Sequence, residues 1–215
     1  MVGTGAMRRL LLAFAALSML GGCSGVSVWA DDETVAQAAY RHPGPPRLTL
    51  FTMVSNSTGN GGHTSLMING SQRVIWDPAG SFKHETIPER NDVLYGITPP
   101  VADVYTRYHA RETWHVVVQE LDVSPQVAEA AIRAVQAYGA VGAANCARST
   151  SDILSKLPGF GQVTQTWYPV KLSEQFAQFS GVRTRKLHEY DSDDNTKVLL
   201  DWNPQKVARD ALVVQ

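Results

Sequence analysis

The sequence is poor in cysteine and, after its first twenty residues, has no long apolar run. Cys23 and Cys146 are the only cysteines among 215 residues, which excludes a disulfide-rich scaffold. No later segment approaches the roughly 20 apolar residues of a membrane-spanning helix. With 44% hydrophobic and 18% charged residues, the composition is that of a globular domain with a sizeable core.

Residues 1–22 have the pattern of a secretory signal peptide. Two arginines precede the apolar run of residues 10–20, which is too short to span a bilayer, and small residues follow it. Residues 20–23, Leu-Gly-Gly-Cys, resemble the lipobox of bacterial lipoproteins. That resemblance implies that Cys23 becomes the N-terminus and that its thiol carries lipid, with palmitate among the acyl chains. The alternative is an ordinary cleavage site with an incidental cysteine.

A lipid on Cys23 would hold the protein on a membrane without crossing it. Ser24, in place of an aspartate, resembles the sorting pattern for the outer membrane, so we expect a lipid-anchored envelope protein facing the periplasm.

The chain has 19 basic and 20 acidic residues. Residues 1–22 contain two of the basic residues and none of the acidic ones, so their removal leaves a formal charge of −3. This balance gives no reason to expect a nucleic-acid partner. Lipidation would also leave Cys146 without an intramolecular disulfide partner.

The remaining sequence predicts a single α+β domain over residues 47–215, preceded by a tether of residues 23–46 that ends in RHPGPPR. Within the domain, residues 180–215 receive no assignment. The predicted strands are residues 47–54, 63–70, 71–80, 91–98, 113–121 and 161–170. The predicted helices are residues 99–110, 125–138, 146–157 and 173–179.

Two local signals are specific. Asn69-Gly70 lies between two strand-like segments and predicts the type I′ turn of a hairpin. Ser124 as N-cap and Gly139 past the end mark the clearest helix, whose apolar stripe ends at Tyr138.

Cys146 follows Asn145 at the predicted start of a helix, with Asn145 as N-cap. The unpaired N–H groups and positive dipole of a first helical turn favour negative charge, so a thiolate and an oxyanion are both stabilised there. A structural cysteine more naturally lies on the apolar stripe in mid-helix. The position therefore predicts a nucleophile, with Asn145 marking the helix end that would hold the oxyanion. A buried structural thiol remains the alternative.

A thiolate nucleophile needs a base on another element. His63 is favoured because it begins a predicted strand after a glycine-rich loop and can project from a sheet edge into a cleft. Asp77 is favoured as the third group, since counting outward from the hairpin turn puts it close to His63 on the neighbouring strand. The alternative is that Asp77 only caps its Asp-Pro turn. Of the other histidines, His42 is assigned to the tether, His188 to the tail, and His84 and His109 to surface segments. His115 lies within a predicted strand, either on its solvated face or in the core.

The segment GGHTSLMINGSQRVIWDPAGSF, then a strand and helix, then YGAVGAANCARSTSDILSKL resembles the circularly permuted branch of the papain-like thiol hydrolases, related to the NlpC-type cell-wall peptidases. This branch includes the lecithin:retinol acyltransferase-like and PPPDE-like families, in which the histidine strand precedes the cysteine helix. The resemblance spans roughly residues 47–160. It implies an antiparallel sheet packed against a cysteine-bearing helix, with Cys146 as nucleophile, His63 as base and Asp77 as polar third member. The third position varies in type within the branch. We expect no cofactor and no metal.

Three functions remain open. The favoured one is a membrane-anchored cysteine hydrolase, as amidase, peptidase or acyltransferase, acting on peptidoglycan peptides or acyl groups of the envelope. The second is a non-catalytic lipoprotein that uses the same fold as a binding module, with Trp76, Trp114 and Trp167 as candidates for a recognition surface. A metal hydrolase is third, because the histidines show no pair at ligand spacing.

Overall fold

The computed structural model describes residues 25–202. The predicted signal peptide and Cys23 lie outside the described residues, as does the end of the chain. The helices are α1 (Asp32–Ala38), α2 (Pro99–His109), α3 (Pro125–Tyr138), α4 (Cys146–Ser155), α5 (Pro169–Phe176) and α6 (Thr196–Asp201). The strands are β1 (Arg47–Ser55), β2 (Gly61–Asn69), β3 (Arg73–Trp76), β4 (Glu89–Arg90), β5 (Val93–Leu94), β6 (Trp114–Asp122) and β7 (Arg183–Leu187).

The strands of this part of the chain form one antiparallel sheet of seven, in the order β4-β5-β3-β2-β1-β6-β7. β1 lies between β2 and β6 and is buried along its whole length except at its two end residues. A strand buried on both faces needs layers on both sides of the sheet. The predicted α+β class is confirmed.

The sheet separates two apolar cores. Leu50 packs in one core with residues of α3, α4 and α5, such as Leu154. Phe51 packs in the other with residues of α2, such as Tyr105. Because side chains alternate along a strand, neighbours in β1 enter opposite cores. The sheet therefore holds α4 and α2 on opposite faces of the same strands.

The prediction for α3 is confirmed at both ends of the helix but not for its whole buried stripe. Ser124 Oγ accepts a hydrogen bond from the N–H of Val127, and Gly139 has a φ of 88° directly after the helix. Both features match the sequence prediction. Tyr138 was wrongly assigned to the buried stripe: it is 40% exposed and lies with its ring against Trp76.

The predicted type I′ turn was wrong. Asn69 pairs with Arg73, so the loop has three residues, 70–72, and neither Asn69 nor the loop has the positive φ that a type I′ turn requires. Ser71 donates hydrogen bonds from its N–H and hydroxyl to the Glu129 carboxylate of α3. This contact with another element favours the longer loop over the local turn preference.

The predicted strand at residues 161–170 was also wrong. These residues cross α4 without regular structure and enter α5 at Pro169, earlier than the predicted start of that helix. The N–H of Thr166 donates to Ser151 Oγ of α4. The segment therefore finds its hydrogen-bond partner on a helix, and β7, from the unassigned part of the sequence, pairs with β6 instead.

The described part of the predicted tether lies against the domain. Trp29 forms a β-bridge with Arg90, whose guanidinium lies 4.7 Å from the Trp29 ring centroid. Asn69 Nδ2 donates to the carbonyl oxygens of Gly44 and Pro45. These contacts involve mostly backbone groups, which composition does not reveal. None of the helices between residues 25 and 202 is long and apolar enough to cross a membrane.

Candidate active site

Cys146 is the first residue of α4 and is 7% exposed. Asn145 occupies the N-cap position, but its predicted capping role was wrong, because its side chain accepts no backbone N–H of the helix. Its φ of −103° and ψ of 8° differ from the extended conformation of a capping residue. Asn145 Nδ2 donates instead to the carbonyl oxygens of Gly142 and Ala143. The side chain thus fixes the loop before α4, and the first-turn N–H groups remain available to other acceptors.

The surroundings of Cys146 favour its thiolate. Burial raises the pKa of the thiol, but a hydrogen bond to His63 and the charge of that ring lower it. The N–H groups of Thr64 in β2 and Ala147 in α4 lower it further, and the net pKa is below the ordinary value. The helix start and the strand therefore both contribute to the site.

His63 and Asp77 come together as the sequence predicted. His63 Nε2 lies 2.8 Å from Asp77 Oδ1. Leu66 pairs with Trp76, and continuing this register places Asp77 beside Ser65, on the same sheet face as His63. The contact is therefore diagonal across β2 and β3, whereas the predicted two-residue turn implied nearly direct pairing.

Asp77 is buried and held by further groups. Tyr105 of α2 donates its hydroxyl to Asp77 Oδ1 at 2.7 Å, and the same hydroxyl oxygen lies 2.7 Å from Ser65 Oγ. A Cβ at Gly80 would lie 1.9 Å from Asp77 Oδ2, so the turn after β3 requires glycine there. Sequence reasoning missed Tyr105, although a phenol four residues after Val101 on a buried helix face needs a hydrogen-bond partner.

The protonation of His63 follows from its two partners. Burial lowers the pKa of His63, but hydrogen bonds to Asp77 and Cys146 outweigh burial and raise it to about 10. Burial also raises the pKa of Asp77, and the bond to His63 lowers it below its ordinary value. Because Nε2 is bound to Asp77, Nδ1 is the nitrogen left for Cys146. Both shifts, downward for the Cys146 thiol and upward for His63, favour a thiolate–imidazolium pair over the neutral pair.

His109, assigned to the surface from sequence, lies in the site. It ends α2, and its ring lies 5.8 Å from that of His63, close to parallel. His109 Nδ1 lies 2.9 Å from the Tyr105 carbonyl oxygen, so Nδ1 carries the ring proton. Burial lowers the pKa of His109 to about 4, which keeps the ring neutral at pH 7. Its spacing of four residues from Tyr105 is the only sequence signal that joins it to the site.

One group among residues 25–202 has the donors and proximity for a metal ion. A ligand atom from each of His63, Asp77 and His109 lies within 4.8 Å of the others. Two imidazoles and a carboxylate suit Zn²⁺. The residues are far apart in sequence, so ligand spacing could not reveal them. A metal held here would compete with the bond between His63 and Asp77.

A cavity of about 270 Å³ adjoins His63 on the α2 side, with Gly62, His109 and Trp114 in its wall. Of the other two tryptophans considered for a recognition surface, Trp76 is fully buried and Trp167 is 55% exposed. The three do not share one surface, since Trp76 belongs to the core. A larger cavity of about 610 Å³ lies between α2 and α6 and includes none of the residues of the site.

The chain matches no protein-family model, no curated protein and no solved structure in comparisons with each. The geometry of the site therefore carries the functional argument alone.

Proposed function

We propose that the protein is a thiol hydrolase or acyltransferase in which Cys146 is the nucleophile, His63 the acid and base, and Asp77 the carboxylate that orients His63. The observation that carries the proposal is the position of His63 between two partners. Its Nε2 is 2.8 Å from a buried carboxylate, and its ring is close enough to the Cys146 thiol, at the start of a helix, for each group to shift the pKa of the other. A nucleophile, a base and an orienting group in contact are the parts of a covalent catalyst.

The geometry suits a two-step acyl transfer. The Cys146 thiolate attacks a carbonyl carbon, and the N–H groups at the start of α4 stabilise the oxyanion that forms. His63 donates its Nδ1 proton to the departing amine or alcohol, the bond to that group breaks, and a thioester remains. Neutral His63 then takes a proton from water or an acceptor amine, which attacks the thioester and releases Cys146 as the thiolate beside a protonated His63.

The proposed fold relationship is the circularly permuted papain-like arrangement. It is supported by chain order, since the hairpin with His63 precedes α4, and by the packing of α4 against the sheet. The proposed location is the periplasmic side of the bacterial outer membrane, with a lipid anchor on Cys23. This part depends on the sequence pattern of residues 1–23. Peptidoglycan peptides and acyl-lipids are then the substrate classes within reach.

The test is reaction of the purified mature protein with a thiol-reactive acyl probe, followed by incubation with muropeptides and with phospholipid vesicles. We expect the wild type to be labelled on Cys146 and to consume one of the two substrates. Cys146→Ala and His63→Ala should fold and lose both properties, while His188→Ala, which removes an exposed histidine, should keep them. Persistent labelling and turnover in folded Cys146→Ala would refute the proposal.

Two alternatives give different outcomes in the same experiment. A metal hydrolase that uses His63, Asp77 and His109 would lose turnover with a chelator and keep it in Cys146→Ala. A binding module would retain muropeptide or lipid without consuming it. The thiol reaction should persist in the presence of the chelator.

A further inference from the structure

A cluster of cationic side chains lies beneath α2, at the end of β2 that is remote from His63. A cavity of about 340 Å³ there is lined by Arg47, Arg73 and Arg185, together with His42. Arg47 and Arg73 both pair with Asn69, the last residue of β2, whereas His63 lies near the first. At ~3.3 Å per residue the two ends are about 20 Å apart. The cluster is therefore separate from the candidate active site.

Arg73 is the unusual member of this cluster. It is 8% exposed, and its Nε is buried without a hydrogen-bond partner. Its guanidinium lies 6.0 Å from the Tyr40 ring centroid, and it forms no salt bridge with any residue of the described range. A buried Nε–H without an acceptor is unfavourable, because its lost hydration is not replaced. The chain therefore keeps a charge in this cavity that an anion would satisfy.

Further donors face the same cavity. The N–H of Gly44 donates to His42 Nδ1 at 2.9 Å, so the ring proton of neutral His42 is on Nε2, which can donate. Arg185 of β7 is exposed and has no ion-pair partner within residues 25–202. Together with Arg73, they offer hydrogen-bond donors from three segments of the chain.

The two acidic residues of the lining do not satisfy Arg73. Asp103 pairs with Arg107 at 3.1 Å. Glu120 pairs with Arg47 at 3.3 Å and lies 3.8 Å from Arg183. Apolar side chains, among them Phe51, Met67 and Val118, complete the wall. The cavity thus combines unpaired donors with an apolar surface, which is the composition of a small-molecule site.

We propose that this cavity binds a small organic anion, whose phosphate or carboxylate group is held by the guanidinium of Arg73 with help from Arg185 and His42. The planar guanidinium matches two oxygens of either group. The volume of about 340 Å³ is at the lower end for ligand pockets, which limits the ligand to a small molecule.

The test is thermal unfolding of the full chain with inorganic phosphate or with succinate, against sodium chloride at equal ionic strength. At ten times Kd, we expect Tm to rise by about 3–6 °C. Arg73→Met should fold as well as the wild type or better, because it removes an unpaired buried charge, and should bind at least about tenfold more weakly. Arg185→Gln provides a second, exposed substitution should Arg73→Met not fold. Arg183→Gln, on the same strand but outside the cavity lining, is the matched control.

A rise in Tm with phosphate alone identifies a phosphate ester as the ligand class, and a rise with succinate alone identifies a carboxylate. No rise with either anion would overturn the proposal. An equal rise in the wild type and in the cavity variants would also overturn it, because binding would then occur elsewhere.

Discussion

Asp77 is the residue on which the geometry of the site depends. It is buried, and its Oδ1 lies 2.8 Å from His63 Nε2 and 2.7 Å from the Tyr105 hydroxyl. A buried carboxylate with strong donors stays ionised and can fix the ring that it contacts. Tyr105 does not contact the thiol in this arrangement, so we regard it as a positioning residue.

Tyr105→Phe removes one donor from a buried carboxylate and leaves the aromatic packing. Hydrogen bonds to charged groups contribute about 1.5–3 kcal/mol, so we expect a loss of this order in the free energy of unfolding measured with urea. The control is Tyr108→Phe, whose hydroxyl donates to the neutral Ser81 carbonyl at 3.1 Å and should cost less. Equal losses in the two variants would show that Asp77 does not depend on Tyr105. A positioning role also predicts a higher pKa of His63 in Tyr105→Phe, because Asp77 stays ionised and, with one donor fewer on the same oxygen, attracts the imidazolium more strongly; NMR titration measures this.

The sequence predicted the residues of the site whose positions follow from local order. Cys146 was identified by its position at the start of a predicted helix, and His63 by its position at the start of a predicted strand. Tyr105 and His109 were not found, because their roles depend on α2 lying across β2 and β3. Arg73 was missed for a similar reason, since its burial requires α2 and the segment before β1 to cover the hairpin.

At the scale of elements, the start of α4 differs from that of α3 in how it is capped. Ser124 caps α3 through its side chain, whereas Asn145 donates to the loop carbonyls of Gly142 and Ala143. Aspartate is as good an N-cap as serine or asparagine but cannot donate.

Asn145→Asp therefore tests which role the side chain has. We expect it to destabilise the protein by about 1–2 kcal/mol, because a carboxylate would face two carbonyl oxygens. Ser124→Asp should be nearly neutral, since it replaces one capping residue by another. Urea unfolding measures both, and an Asn145→Asp variant as stable as the wild type would mean that Asn145 caps α4 after all.

Elements with complete local signals were predicted with nearly the right bounds. α3 has a cap, a proline at its first position and a terminal glycine, and β6 has a β-branched run. The segment 161–170 has strand-like residues but binds α4 instead, and the loop after β2 is set by its contact with α3. These two errors have one cause, namely a tertiary hydrogen bond that overrides a local preference.

At the scale of the whole molecule, the half-buried His63 and His109 make stability depend on pH. The pKa of His109 is about 4 in the folded state, below its ordinary 6.5, so the unfolded chain takes up the proton first as pH falls. Its contribution is present above about pH 6.5 and is lost as pH falls to about 4. The pKa of His63 is about 10, so its contribution is fully present below about pH 6.5 and is lost as pH rises through 10. Asp77, whose pKa is lowered, loses its contribution only at still lower pH.

His109→Gln should reduce the acid sensitivity of the fold. Between pH 6.5 and 4 the wild type should lose on the order of 3 kcal/mol through this histidine, and the variant should lose much less. Urea unfolding at pH 7 and pH 4.5 measures the difference. The same loss in both proteins would indicate that His109 is not buried as a neutral ring.

The central claim is that Cys146 and His63 form a thiolate–imidazolium pair. The most direct measurement is the rate of alkylation of Cys146 by iodoacetamide as a function of pH, followed on the peptide that contains Cys146 by mass spectrometry. The thiolate is the reacting form, and its pKa is held down by His63 after the opposing effect of burial.

In the wild type and in His188→Ala, the rate should stay high well below the ordinary pKa of a thiol. In His63→Ala, the midpoint should rise relative to the wild type, because burial then acts on the thiol without the opposing effect of His63. A midpoint that is the same with and without His63 would contradict the account.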